Sequence, residues 1–456
     1  MIIENQEQFI NSLKREINQD DPLQVQKLLI DLHPADMAEL LREFEPEEVR
    51  KLFTFLDPEE VAEILILCDE DIQHEYIDSA EPALVSDILE EMEPDDAADI
   101  IGEIEERDEK KADQLLQLME LPERREVKDL LQYDEDTAGG IMTSDFVALS
   151  KNLTTLEAIE QLKILQTQEP IEDLVYIQVT DENGKLFGRV TLQDLVFRKK
   201  EEKIGDLCDP EDLIYVPVDT DQEEVANMMS KYDLATIPVV DNEGKLVGRI
   251  TYDDIYDVIE EETTEDIFRM AGTSEDVLLT KSPLNVAWKR TPWLITTLVG
   301  GLICSMILDS WDRLNELIAL AFFVPIITGM GGNIGTQSSA IMIRGLATGQ
   351  VKTDEFSKYI FHEIFVGMIM GCFFATLVGF AATFMEGVNI GLTVGISMAV
   401  AIVVATTVGT SMPLFLKKIG LDPAIAAGPF VTTSNDLTGI IIYYISANIL
   451  LGYFIA

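Results

Sequence analysis

One carboxylate lies inside an otherwise apolar stretch near the C-terminus. Asp436 occurs in the polar sequence T-T-S-N-D-L-T-G (432–439), within a run at 424–451 that is long enough for a membrane-spanning helix. A charge at that depth is costly unless it faces protein or a water-filled path. The apolar spans contain no Lys or Arg to neutralise it. The pattern therefore favours a cation as the partner of Asp436, and a buried carboxyl neutralised by a proton or by helix hydrogen bonds is the alternative.

A second polar stretch, P-I-I-T-G-M-G-G-N-I-G-T-Q, begins at Pro325. Asn333 and Gln337 are spaced i, i+4 and lie on one helical face. The glycines at 329, 331, 332 and 335, together with Pro325, predict a broken helix whose carbonyls line a cavity or are buried in protein, and close helix packing through small residues is the alternative. One carboxylate, neutral oxygens and water suit hydrated magnesium, whereas transition metals prefer His or Cys.

Patterns typical of enzymes are incomplete in this sequence. His362 and Glu363 begin H-E-I-F-V, which lacks the second His that a zinc protease helix needs at 366. The sequence also lacks the G-x-x-x-x-G-K-[ST] phosphate loop. We therefore predict that the protein is not an enzyme, and a membrane-bound sensor or hydrolase is the less favoured class.

Five apolar segments are predicted to position these polar residues across a membrane, at about 292–310, 314–336, 359–384, 388–416 and 424–451. Basic residues before the first segment, between the second and third, and after the fourth all fall on one side of a five-span arrangement. Because such residues favour the cytoplasm, we expect the N-terminal half to be cytoplasmic and the C-terminus to be outside the cell.

The net charge of −50 belongs to the first 280 residues. From residue 281 onward there are nine Lys/Arg and nine Asp/Glu, so this apolar half is neutral. An acidic module of this strength attracts cations and repels nucleic acid. We therefore expect no nucleic-acid partner.

Two internal repeats organise the acidic half. Short units that start with Pro34, Pro46, Pro58, Pro82 and Pro94 predict helices with Pro at the first position and acids in the first turn, stacked as a superhelix. D-E-N-G-K-L-F-G-R-V-T at Asp181 recurs as D-N-E-G-K-L-V-G-R-I-T at Asp241, which predicts two small α/β modules with hairpins. A long acidic helix is predicted to follow them.

These motifs together resemble the MgtE family of magnesium transporters, above all G-G-N-I-G-T-Q (331–337) and T-T-S-N-D-L-T-G (432–439). The resemblance covers nearly the whole chain and implies a multidomain protein. The expected domains are an all-α superhelical N-terminal domain (1–133), two α/β CBS domains in tandem (134–200 and 201–260), an acidic connecting or plug helix (253–282) and an all-α transmembrane domain of five helices (283–456).

The resemblance also implies a homodimer in the inner cell membrane with one pore on its two-fold axis. Magnesium would pass largely hydrated and would also regulate the protein by closing the pore. The implied pore residues are Asp436, Asn435, Thr432, Asn333, Gln337 and Glu316. The implied regulatory magnesium ligands are Glu63, Asp95, Asp99, Glu223, Asp233, Asp254, Asp257, Glu262, Glu265, Asp266 and Asp422.

A Thr followed three residues later by Asp in each CBS domain resembles the nucleotide contacts of CBS domains that bind ATP. The two pairs are Thr191 with Asp194 and Thr251 with Asp254. Asp254 is a candidate contact for the ribose of ATP and also a candidate magnesium ligand. A transporter that couples divalent cations to H⁺ or Na⁺, with Asp436 as the proton carrier, remains the alternative to a magnesium-gated channel.

Overall fold

The computed structural model describes residues 6–30, 32–168, 174–209, 213–274, 277, 282–309, 318–351, 355–426 and 428–455. The chain forms two compact units, Met1–Val258 and Ile259–Ala456. Each unit is described by itself below.

The N-terminal part of the first unit is a series of mostly short helices. They are α1 (Gln6–Asn18), α2 (Pro22–Leu29), α3 (Pro34–Leu41), α4 (Pro46–Phe53), α5 (Pro58–Leu65), α6 (Glu70–Ser79), α7 (Pro82–Glu90), α8 (Pro94–Leu118) and α9 (Leu121–Leu130). The prediction of helices that begin at the five repeated prolines is confirmed. Proline fits there because the first helical N–H has no partner inside the helix and the fixed φ of proline suits the first turn.

Helix α8 is kinked at Asp108, whose φ of −150° and ψ of 83° are not helical. The Asp108 carboxylate accepts hydrogen bonds from the backbone N–H groups of Lys110 and Lys111 at 3.2 and 3.3 Å. It therefore acts as an N-cap for the second half of the helix. Residues 94–107 thus form a helical segment distinct from 109–118.

The two modules that follow have the same sheet topology. The first contains β1 (Ala148–Ser150), α10 (Thr155–Gln168), β2 (Ile177–Thr180), β3 (Leu186–Val190) and α11 (Leu192–Phe197); the second contains β4 (Val216–Pro217), α12 (Gln222–Tyr232), β5 (Thr236–Val240), β6 (Leu246–Thr251) and α13 (Tyr252–Met270). In each sheet the first two strands are parallel and the last two are antiparallel. The predicted strand, hairpin, strand and helix order is confirmed.

Both hairpin turns have the same local chemistry. The Asp181 carboxylate accepts from the N–H groups of Asn183 and Lys185 at 2.8 and 3.0 Å, and Asp241 does the same in the second turn. Gly184 and Gly244 have φ values of 77° and 80°, which glycine adopts without strain. The two turns also bond to each other, because Leu186 N–H donates to Gly244 O and Leu246 N–H to Gly184 O, both at 3.1 Å.

The connecting helix α13 ends at Met270, before the residue 282 expected from the sequence. Gly272 follows with a φ of 73°, the Thr273 N–H donates to Phe268 O, and the Gly272 N–H donates to Arg269 O, both at 3.0 Å. These bonds form a Schellman motif, which satisfies the last carbonyls and ends the helix.

The second unit contains the long apolar helices. They are α14 (Pro283–Asp309), the short α15 (Ile318–Ala321), α16 (Val324–Ala347), α17 (Phe356–Glu386), α18 (Val388–Lys418) and α19 (Gly428–Ile455). Among the described residues, four stretches are long and apolar enough to cross a membrane: 283–309, 318–347, 356–386 and 388–418. The fifth predicted span is the 28-residue helix α19. The second predicted span begins at 314, outside the described residues, and its helix continues past the expected end at 336 to Ala347.

The expected break in the glycine-rich segment is wrong. Helix α16 is continuous from Val324 to Ala347, and the only interruption between Ile318 and Ala347 is the turn at 322–323, just before Pro325. Gly331, Gly332 and Gly335 are buried. The glycines therefore allow close approach of other helices, which is the packing alternative.

Candidate functional site

The carboxylate Asp436 lies half-buried on α19, one turn after Thr432. Both side chains face α16 at Gly332. A Cβ added to Gly332 would lie 3.7 Å from Asp436 Oδ1 and 3.3 Å from Thr432 Cγ2. The Thr432 hydroxyl also lies 3.5 Å from the Thr336 hydroxyl of α16. Asp436 and Thr432 thus line a polar contact between two helices of the apolar unit.

Asn333 and Gln337 are exposed on the surface of α16 in the single chain, although their neighbours Gly332, Ile334, Gly335 and Ser338 are buried. The structure therefore places the two amides on one outward-facing stripe, as the i, i+4 spacing predicts. An amide that faces lipid is unfavourable, so this stripe requires water or protein against it. Glu316, the remaining predicted pore residue, lies outside the described residues.

Asn435 has a different environment from the other predicted pore residues. It is 1% exposed, and a Cβ at Gly335 would overlap its amide nitrogen. Within the described part of the chain, its Oδ1 and Nδ2 atoms have no hydrogen-bond partner. Asn435 is therefore turned into the contact between α19 and α16, unlike the exposed Asn333 and Gln337. Its position next to Asp436 in the sequence gave no sign of this.

Gly335 is the point where three helices meet, because Gly409 of α18 also packs on its backbone. We expect Gly335→Ala to destabilise the protein by about 1–3 kcal/mol, the typical cost of overpacking. Gly329→Ala is the matched control, since a Cβ at Gly329 meets nothing within 4 Å. Thermal unfolding of the purified protein in detergent measures both. Equal stability of the two variants would contradict the tight three-helix contact.

A second group of charges lies in the first unit, where the N-terminus of α8 meets the start of α13. We call Glu93, Asp95, Asp96, Asp99 and Asp254 the acidic cluster. Asp95 is 6% exposed, and its Oδ1 atom has no hydrogen-bond partner among the described residues. Asp254 accepts from the N–H and hydroxyl of Thr251 at 2.9 and 2.6 Å. The sequence identified Asp95, Asp99 and Asp254 but missed Glu93 and Asp96, which belong to the same E-P-D-D motif.

The pKa values of the cluster are raised. Desolvation and then the charge of Asp254 raise the pKa of Asp95 well above its usual range. Desolvation, reinforced by Glu93, raises the pKa of Asp96 to about 7. Desolvation, reinforced by Asp95, likewise raises the pKa of Asp99 to about 7. Unfavourable interaction between these carboxylates is therefore built into the fold, and a cation or a proton would relieve it.

This arrangement predicts opposite effects of pH and magnesium on α8. Because the folded-state pKa values exceed the ordinary carboxyl value of about 4, stability is present at low pH and is lost as the pH rises through about 7. We expect amide hydrogen exchange in residues 94–107 of the magnesium-free protein, corrected for intrinsic rates, to be faster at pH 8 than at pH 5.5. Magnesium should slow it at pH 8 and have little effect at pH 5.5. Protection from exchange that depends on neither pH nor magnesium would contradict the prediction. Helix α2 serves as the internal control.

The other predicted magnesium ligands are more dispersed. Glu63 is exposed on α5, Glu223 lies on α12, and Asp233 follows α12 in a left-handed conformation with a φ of 50°. None of these three is among the charges that act most strongly on Asp95, Asp99 or Asp254. Asp257, Glu262 and Asp266 lie on α13. Glu265 and Asp422 both form ion pairs with Arg269, a residue that the sequence analysis missed although it is the only basic residue in 252–270.

In the described part of the chain, no three His, Cys, Asp or Glu side chains converge closely enough to hold a metal ion by themselves. The acidic cluster nevertheless has the carboxylate oxygens that magnesium prefers and an unpartnered buried oxygen on Asp95. A hydrated magnesium ion needs few direct protein ligands. The cluster therefore fits magnesium held partly through water.

The Thr–Asp pairs of the two modules are helix caps. In the first module the N–H and hydroxyl of Thr191 donate to Asp194 Oδ2 at 2.9 and 2.6 Å, the same distances as in the Thr251–Asp254 pair. A ligand that bonds to either Asp would have to share it with this cap. The surroundings differ, because only Asp254 belongs to the acidic cluster.

Family comparisons agree with the arrangement of both units. Residues 324–446 match the MgtE family, described as divalent cation transporters, residues 32–136 match the MgtE intracellular N domain, and 138–201 and 204–261 match CBS domains.

Relatives and solved structures extend the match over most of the chain. The chain is 34% identical over 341 residues to the magnesium transporter MgtE of Thermus thermophilus, with 74% of this chain and 75% of the relative covered. It is also 34% identical to the Enterococcus faecalis magnesium transporter MgtE, covering 73% of each. The crystal structure of the cytosolic domain of the Mg²⁺ channel MgtE in complex with ATP is similar with a TM-score of 0.51 and 35% identity, over 55% of this chain and 99% of that one.

Proposed function

Because this chain belongs to the MgtE family of magnesium transporters, we propose that it is a magnesium channel that closes when magnesium binds its acidic cytoplasmic part. The observation that carries the proposal is Asp436. It is a half-buried carboxylate in an apolar helix, beside Thr432 and Gly332, and the five apolar segments predicted from the sequence contain no Lys or Arg to pair with it. A single carboxylate among neutral oxygens suits an ion that keeps most of its water.

The driving force for uptake is the membrane potential. Inward movement of a divalent cation releases roughly 4.6 kcal/mol per 100 mV of inside-negative potential, twice the value for one charge. This needs no hydrolysis of ATP, and the sequence has no phosphate-binding loop for it. A channel is therefore sufficient, and coupling to H⁺ or Na⁺ is the alternative that the experiment below must exclude.

Regulation follows from the acidic cluster. Without magnesium its carboxylates repel one another, and with magnesium their charges are neutralised. Since a ligand shifts a conformational equilibrium only by its differential affinity for the two states, we infer that the closed channel binds magnesium more tightly. Glu63, Glu223, Asp233, Asp257, Glu262 and Asp266 are further proposed ligands in this regulation.

The CBS domains are proposed to bind ATP, as the solved cytosolic domain of the related channel does. Thr251 with Asp254 and Thr191 with Asp194 are the candidate ribose contacts. The first pair lies within the acidic cluster, so a triphosphate there would require magnesium to offset the repulsion between anions. ATP and magnesium would therefore bind together at Asp254.

We further propose a homodimer. The outward-facing amides of Asn333 and Gln337 need a polar neighbour within the membrane, which a second copy and a shared water-filled pore would supply. In the first unit, exposed apolar residues occupy equivalent places in the two CBS domains. Leu192 and Val196 on α11 correspond to Tyr252 and Tyr256 on α13, and all four are at least 43% exposed. A second copy that covers this face would remove it from water.

The proposed location is the inner cell membrane, with the acidic part in the cytoplasm and the C-terminus outside. The basic residues Arg344, near the end of α16, Lys358, near the start of α17, and Lys418, the last residue of α18, would then lie on the cytoplasmic side. Exposed Phe residues on α17 (361, 365, 373, 380 and 384) would face lipid.

The proposal is tested by magnesium flux into liposomes that contain the purified full-length protein. We expect flux that follows the membrane potential and falls as magnesium rises on the face carrying the soluble domains. Flux that follows an imposed H⁺ or Na⁺ gradient at zero potential would favour the coupled transporter. Absence of flux under a membrane potential, with low magnesium on the soluble-domain face, would exclude both the channel and the coupled transporter.

A further inference from the structure

The last turn of α13 is tied to the segment that leads into α19. The Arg269 guanidinium donates to Asp422 and also pairs with Glu265 one turn earlier on α13. The second oxygen of Asp422 accepts from the Ala424 N–H at 2.7 Å. Arg269 therefore links α13 to a loop that lies 153 residues away in the sequence.

Backbone and apolar contacts support the same junction. Met270 packs against Ile343 and Ala424. A Cβ added at Gly272 would lie 2.7 Å from Pro429 Cγ, and one added at Gly428 would overlap the Met270 carbonyl oxygen. Both glycines have positive φ values, 73° and 54°, so glycine is required there by the conformation as well as by the space.

We propose that Arg269 is a positioning residue for gating. It holds the end of the acidic helix to the start of α19, so that displacement of α13 reaches Asp436, which lies eight residues after Gly428 or about 12 Å along the helix. This inference rests on the proposed function. It also reassigns Glu265 and Asp422, which the family resemblance implies as magnesium ligands, to an anchor made by the protein's own cation.

The two assignments predict opposite results for Arg269→Gln. If Arg269 is an anchor, its loss uncouples α13 from α19 and magnesium closes the channel less effectively. If Glu265 and Asp422 are ligands that Arg269 merely blocks, its loss frees two carboxylates and magnesium closes the channel more effectively.

The test measures flux into liposomes against magnesium on the soluble-domain face, for full-length Arg269→Gln, Asp422→Asn and the double variant. We expect each single change to raise the half-inhibiting magnesium concentration about fivefold, the size expected for a partly exposed ion pair. The double variant should do no more than either single one, because both remove the same interaction. Arg269→Lys should recover part of the effect, and flux at the lowest magnesium should stay unchanged.

Lys418→Gln is the matched control, since it removes an exposed basic residue near the same loop. A lower half-inhibiting concentration in Arg269→Gln, additive effects in the double variant, or wild-type behaviour in all of them would overturn the anchor while leaving the channel proposal intact. Wild-type flux that does not change with the magnesium concentration on this face would overturn both the anchor and the magnesium-gated channel. Amide hydrogen exchange at 432–435, the first residues of α19 whose N–H groups bond within the helix, gives a second measurement, and it should be faster in Arg269→Gln.

Discussion

Replacing Asp436 by Asn should reduce magnesium flux at least about 100-fold. At an effective dielectric constant of about 20, a divalent ion about 5 Å from a carboxylate is attracted by roughly 7 kcal/mol. Most of this attraction offsets the ion's lost contact with water. A net stabilisation of about 2.7 kcal/mol nevertheless corresponds to a 100-fold change in flux. Asn keeps the shape of Asp and removes only the charge. Liposome flux under a fixed membrane potential gives the measurement.

Glu386→Gln is the matched control for this variant, because it removes an exposed carboxylate at the end of α17. It should leave flux within about twofold, as exposed surface charges contribute little. Size-exclusion chromatography in detergent checks that the Asp436 variant is folded. Normal flux through folded Asp436→Asn would remove Asp436 from the pore and leave its half-buried charge without a function.

The second large effect concerns the acidic cluster. Combined Asp95→Asn and Asp99→Asn should raise the half-inhibiting magnesium concentration at least about tenfold, because two of the charges that magnesium would neutralise are gone and its differential affinity falls accordingly. Flux at low magnesium should remain. Inhibition is measured with magnesium on the face of the soluble domains, in the same liposomes.

Asp113→Asn provides the comparison for the double variant. Asp113 is exposed on the part of α8 that follows the kink at Asp108, so its loss should not change inhibition. The same hydrogen-exchange measurement on residues 94–107 should show that the double variant no longer responds to magnesium at pH 8. Unchanged inhibition in Asp95→Asn with Asp99→Asn would show that the cluster is not the magnesium sensor.

The helices and hairpins that the sequence predicted well depend on local chemistry. Pro34, Pro46 and Pro58 begin helices because the first turn tolerates a residue without an N–H. Asp181 with Gly184 forms a hairpin turn within five residues. Such features need only neighbouring residues, and their bounds could be read without knowledge of the fold.

Predictions that involved helix packing were less complete. The glycines of α16 predicted a break, yet buried glycines and a broken helix share the same sequence signal, and only the neighbouring helices distinguish them. Asn435 and Asp436 are adjacent in sequence and both contact α16, but Asn435 is buried at Gly335 whereas Asp436 is half-buried at Gly332, because successive helical residues are rotated by about 100°. The acidic helix was expected to continue past Met270, where contacts with Pro429 and Ala424 accompany its end.

The sequence by itself determined the separation of charge between the two halves, the presence of apolar segments long enough to cross a membrane, the paired α/β modules and the carboxylate of Asp436. These follow from composition and short-range periodicity. Only the tertiary structure decided that Glu93 and Asp96 join Asp254 in one cluster, that Asn435 faces Gly335, and that Arg269 binds Asp422. Each of these contacts joins residues far apart in the chain, and their approach is set by how whole helices pack rather than by the preferences of any local segment.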